Sequence, residues 1–161
     1  EVMSGLMPYV DAAVANEEDA EKVFGIKADA TDITSGHLSI EGYQQVAKKL
    51  VERFGFKKVA ITLRESMSAS DNGWSGLLYD GKEFFKARRY VLHIVDRVGG
   101  GDSFAAGLIY SFLNKSGGQD TIEFAAAASA LKHTVEGDFN LATVEEVKSL
   151  AGGDASGRVQ R

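Results

Sequence analysis

A chain of 161 residues, 44% hydrophobic and 25% charged, is long enough for one globular domain with a buried core and too apolar for disorder. Its 18 basic and 23 acidic residues give a net charge of -5 without a basic block that would follow a phosphate backbone, so nucleic acid is not an expected partner. The lack of cysteine excludes disulfides and thiolate metal sites, and no apolar run reaches the ~20 residues of a membrane span, so a soluble cytoplasmic protein with no membrane partner is expected.

The first residues, Glu1 to Val10, read as the tail of a helix leading into a strand, so the chain is expected to be part of a longer protein. Val10 to Ala15 is a short apolar strand that stops at Asn16, and Glu17, Glu18 and Asp19 load the first turn of a helix reaching about Phe24. Asn16 has two readings: a helix cap, or an Mg²⁺ ligand beside those acids. A polar loop from Ala28 to Gly36 precedes Ser39, which caps a helix with apolar positions at Tyr43, Val46, Leu50, Val51 and Phe54, ended by Gly55. Lys58 to Leu63 is a buried strand that delivers Arg64 and Glu65 at its carboxyl end. Trp74 to Tyr79 and Lys82 to Ala87 form a hairpin about Asp80-Gly81, and Arg89 to Val95 is a further extended segment. Three helices follow, over 103–113, 119–134 and 144–150, the last with Thr143 and Glu146 spaced as a capping box. Residues 1–150 are expected to fold as one α/β unit and 151–161 to form a flexible tail.

Between the last extended segment and the first of these helices lies Asp96-Arg97-Val98-Gly99-Gly100-Gly101-Asp102. Consecutive glycines admit conformations closed to other residues and let a ligand approach the backbone, and the helix after them turns its amides toward that ligand. An anion fits there, and Asp102 beside it is placed to take a proton from an attacking hydroxyl. Neither the Walker A pattern nor the dinucleotide G-x-G-x-x-G is present. His37 and His93 have no acidic partner at useful spacing, and with His133 they show no metal-ligand pattern; Trp74 reads as packing, and the Phe and Leu positions read as core. Gly101-Asp102-Ser103 has the look of a lipase nucleophile, but no His follows an Asp by three residues as that chemistry would require.

Asp96 to Asp102, continued by Ser103-Phe104-Ala105-Ala106-Gly107, resembles the second signature of the ribokinase-like (PfkB-type) carbohydrate kinases, and similarity runs through Ala15 to Glu18, Ile61 to Glu65 and Ala125 to Asn140. Ser70 to Trp74 and Lys132 to Thr134 are most similar to the branch acting on 2-keto-3-deoxygluconate. The resemblance implies the carboxy-terminal half of a three-layer, Rossmann-like α/β fold, its sheet mostly parallel with an antiparallel edge hairpin. It also implies an ATP-dependent kinase that phosphorylates a sugar or sugar acid with Mg²⁺ and a monovalent cation such as K⁺. Asp102 would be the base, and the amides of Gly99, Gly100 and Gly101 the anion hole. Asn16, Glu18 and Asp19 would help place Mg²⁺ and phosphate, Thr62 and Arg64 would line the nucleotide phosphates, and His133, Thr134 and Gly137 would border the adenine. Asp96 would sit at the monovalent cation.

Arg97 stands where the family has Thr, either to meet a phosphate or to face solvent; Gly100 replaces Ala, and Asp19 replaces Glu. The amino-terminal half of the family fold, which carries most sugar contacts, has no counterpart in these residues. The fragment is therefore expected to bind nucleotide without phosphorylating sugar and to self-associate through an exposed sheet edge. The alternative is a nucleotide-binding or structural module without catalysis.

Overall fold

The computed structural model describes residues 2–16, 22–26 and 40–153, so Glu18, Asp19, His37 and Ser39 lie outside the described residues. A short helix α1 (Val2–Leu6) and a 3-10 turn (Met7–Tyr9) lead into β1 (Ala12–Ala15). Then come α2 (Ile40–Phe54), β2 (Lys58–Ser66), β3 (Asp71–Tyr79), β4 (Phe84–Lys86), β5 (Tyr90–His93), α3 (Gly100–Leu113), α4 (Gly118–Lys132) and α5 (Val144–Gly152). Among the described residues no helix is long and apolar enough to cross a membrane.

The sheet is mixed, as expected. β1 runs parallel to β2, with Ala12 beside Lys58 and Ala15 beside Ile61. From there on the pairing is antiparallel: β2 with β3, and β3 with both β4 and β5. The antiparallel part is larger than an edge hairpin because the chain turns straight back after β2 instead of crossing over through a helix. Ser68 closes that turn, accepting from the Asp71 amide at 2.9 Å and donating to Asp71 Oδ2 at 2.8 Å. β4 and β5 are two stretches of one edge, joined where the Ala87 amide bonds Gly76 O at 2.9 Å. The hairpin about Asp80-Gly81 has four turn residues rather than two, since Tyr79 pairs with Phe84. Asp80 Oδ1 accepts from the amides of Lys82 and Glu83 at 2.9 and 2.8 Å, which holds the wider turn open.

Alternation along β2 sorts the two faces. Val59, Ile61 and Leu63 pack with Leu77 against the buried side of α2, at Tyr43, Val46, Ala47 and Leu50. Ala60, Trp74 and Leu78 pack on the other face against Phe104 and Leu108 of α3 and Ile122, Ala125 and Ala126 of α4. Small residues decide how close that second layer comes: a Cβ on Gly107 would lie 2.7 Å from Ala125 Cα, so α3 and α4 meet nearly backbone to backbone. Not every apolar position is core, since Leu113, Phe139 and Leu141 are 78%, 81% and 74% exposed. α5 carries the expected capping box, with Glu146 N donating to Thr143 Oγ1 at 3.3 Å, and runs to Gly152, two residues past Leu150, before Gly153 ends it at φ 98°.

Candidate functional site

β5 is parallel to β2 through their shared partner β3, so both strands end at the same edge of the sheet. Asn16 follows β1 at that edge, and Thr62 and Arg64 lie on the β2 face turned toward α3 and α4. Arg64 is within β2, which extends to Ser66 instead of ending at Leu63. The glycine segment leaves β5 at this edge, where ligands of open α/β sheets bind.

Three ties suspend it. The amides of Val95 and Asp96 bond the His133 carbonyl at 2.8 and 3.3 Å, fixing the segment to the end of α4. The Asp96 carboxylate then accepts from its own loop at Val98 N, 3.0 Å, and from Gly137 N, 2.9 Å, across 41 residues. Those amide dipoles, Val98 first, hold its carboxyl below the usual carboxylate range. The Arg97 guanidinium reaches the third element, donating to buried Asn72 Oδ1 at 3.0 Å and to Ala69 O at 2.8 Å. Arg97 is exposed, and these two bonds clamp the loop to the β2–β3 turn and the start of β3.

Gly99 adopts φ 79°, and a Cβ there would overlap the Asp138 carbonyl, leaving no room for a side chain. Helix α3 begins at Gly100, three residues earlier than the sequence suggests, which puts Asp102 in its first turn. Gly100 N is committed to Arg97 O at 3.2 Å, whereas the amides of Gly101 and Asp102 fall in the first turn, where a helix supplies no acceptor of its own. Asp102 is exposed, and among the described residues its carboxylate has no hydrogen-bonding or ionic partner.

His133 is buried beneath the loop, 5% exposed. Its Nδ1 donates to Ser129 O at 2.7 Å, its ring lies 4.7 Å from that of Trp74, and a Cβ on Gly100 would meet its Cε1 at 2.6 Å. Ser129 Oγ also bonds Gly100 O at 2.7 Å. Desolvation, with the charges of Lys132, Arg97 and Arg64 nearby, lowers the His133 pKa. Thr134 Oγ1 turns back to Leu131 O at 2.7 Å, and Gly137, at φ 79°, serves the Asp96 tie.

A cleft of about 520 Å³ opens instead between α3, α4 and the segment into α5. Gly99, Asp102 and Ser103 form one end; Tyr110, Phe124, Phe139, Asn140, Val144 and Val147 line the rest. Sequence reading missed these lining residues, and the one signal was the cluster of small residues at Ala106, Gly107 and Ala128, whose short side chains leave the cleft unfilled. Asn140 shapes the cleft from behind, donating to Ala128 O at 3.1 Å and accepting from Ala142 N at 2.9 Å. Among the described residues no group of three His, Asp or Glu side chains is placed to hold a metal. His93 does have an acidic partner, Asp71 Oδ1 at 2.8 Å, supplied by the β3–β5 register that sequence spacing could not display.

Residues 1–144 match the pfkB family carbohydrate kinases. Among curated proteins, the 2-dehydro-3-deoxygalactonokinase of Haloferax volcanii is 30% identical over 151 residues, an alignment covering 93% of this chain and 41% of that protein. Among solved structures, the 2-dehydro-3-deoxygluconokinase of Thermotoga maritima superposes with a TM-score of 0.87 at 47% identity, over 94% of this chain and 44% of the other. A PfkB family carbohydrate kinase from Listeria grayi gives a TM-score of 0.78 at 30% identity, over 93% and 43%. The chain thus spans less than half the length of these relatives.

Proposed function

Since the chain belongs to the pfkB family of carbohydrate kinases, we propose that it carries the nucleotide site and the catalytic base of an ATP-dependent kinase for a 2-keto-3-deoxy sugar acid, working in the cytoplasm. The carrying observation is that Asp102 stands in the first turn of α3, beside Gly99 and at the mouth of the about 520 Å³ cleft.

The residues fit a nucleoside triphosphate. The cleft accepts a flat base among Tyr110, Phe124, Phe139 and Val144, and its far end meets the glycine loop where close backbone approach is possible. Amides of the first turn, Gly101 foremost, and the positive end of α3 stabilise charge on the transferred phosphoryl. The Asp102 carboxylate accepts the proton of the sugar hydroxyl as that oxygen bonds to the γ-phosphorus, the bridging oxygen leaving with ADP. Mg²⁺, which favours phosphate oxygens over an all-protein cage, would offset their charge with help from Asn16 and the acids at 17–19. The sugar-acid assignment follows the two relatives named for 2-dehydro-3-deoxy acids.

Asp102→Asn in a full-length kinase carrying this chain should lower kcat by roughly 10²–10⁴, the usual share of general base catalysis, while ATP still binds. Near-normal turnover of that variant would remove Asp102 from the role.

A further inference from the structure

Lys132 is a charged residue with no exposure at all, in the last turn of α4 directly under the glycine loop. Its ammonium donates to Val135 O at 3.0 Å, and among the described residues no carboxylate lies within ion-pairing distance of it. Burial of an ammonium with so little compensation is unfavourable, and such lysines are normally excluded from cores. What surrounds it favours a cation nonetheless: the carbonyl end of α4, the Val135 carbonyl, and the turn that Gly137 ties to Asp96. Backbone carbonyl oxygens, such as that of Val135, are also what replaces the water shell of a potassium ion.

We infer that the Lys132 ammonium is the resident cation of this loop, filling beneath the 133–137 turn the place an exchangeable monovalent ion would take, so that the site works without one. The inference rests on the reading of the glycine loop as the phosphate site. It replaces the monovalent ion expected at Asp96 with a side chain of the protein itself, one whose charge also acts on the Asp96 carboxylate. A fixed charge there adds to the positive end of α3 without an ion having to bind first.

The test compares the melting temperature of the 161-residue chain in potassium chloride and in tetramethylammonium chloride of equal ionic strength, the second cation being too large to enter. Wild type should melt identically in both. Lys132→Ala should melt lower and regain about 2–4 °C in potassium or ammonium salt but not in tetramethylammonium. Lys132→Arg, which keeps the charge, should stay indifferent to potassium. A potassium-specific rise in the wild-type melting temperature overturns the inference whether or not the variants fold, as does a folded Lys132→Ala that ignores potassium. ATP-Mg²⁺ titration in the same two salts separates the premises. A folded wild type that binds no ATP, with the melting pattern intact, counts against the nucleotide site and leaves the resident cation standing.

Discussion

Gly99 and Gly101 are near neighbours in one glycine run, and the structure assigns them opposite tolerances. At Gly99 a side chain meets two penalties. The backbone at φ 79° costs an L-residue roughly 1–2 kcal/mol. A new Cβ would also overlap the Asp138 carbonyl, whose carbon is 3.2 Å from it, and forcing apart packed backbone costs about 1–3 kcal/mol more. Gly99→Ala should therefore destabilise the chain by roughly 2–5 kcal/mol, a large part of the ~5–15 kcal/mol that holds an ordinary domain together. At about 2–4 °C per kcal/mol for a chain of this size, Tm falls by ~4–20 °C. Gly101 has no positive φ, and a Cβ there meets nothing within 4 Å. Gly101→Ala should be neutral, or stabilising by up to ~1 kcal/mol through helix propensity. Urea unfolding followed by circular dichroism measures both, with unchanged m-values showing that the native state is compared like for like. A Gly99→Ala variant within ~0.5 kcal/mol of wild type, the range of ordinary surface changes, would refute the reasoning, and so would equal damage from both substitutions.

His133 is favoured neutral in the fold, because burial lowers its pKa from the ordinary 6.5, so the unfolded chain binds the proton more readily. Its contribution is complete above that value and declines as pH falls through it toward the folded pKa; Tm should drop more steeply on acidification in wild type than in His133→Gln, and parallel curves would contradict this. Removing the α5 cap with Thr143→Ala should cost about 1 kcal/mol, seen as a Tm lowered by ~2–4 °C. Arg97→Met should cost about 1–3 kcal/mol, since it leaves the buried Asn72 Oδ1 without the guanidinium donor, and a variant as stable as wild type would show that the clamp is idle.

Features carried by local chemistry were legible in the sequence. Gly55 ends α2 at φ 75°, its amide on Val51 O at 2.8 Å, because only glycine enters the left-handed region freely. The Thr143–Glu146 box and the strand-to-helix turn at the glycine run follow from equally short-range rules. The failures share one cause: they depend on residues brought together from far apart. Arg97 finds Asn72 across 25 positions, His93 finds Asp71 across 22, and the cleft exists only where α3, α4 and the segment into α5 converge. His133 is the instructive case. The family resemblance implies a place beside the adenine; in the fold the ring turns inward, because Gly100 offers it a bare backbone to pack on.

That inward turn bears on what the glycine loop is for. Glycine lowers local rigidity, yet the phosphate site proposed for this loop has to be preformed if its amides are to stabilise charge without reorganising. The loop recovers its rigidity from outside itself: Asp96 to Gly137, Arg97 to Asn72, Ser129 to Gly100, and the His133 ring against Gly100. These anchors come from the start of β3, from the end of α4 and from the turn after it, so the geometry of the amides is set by how those elements pack. A substitution in that packing, far from Asp102, can therefore shift the loop without touching a ligand.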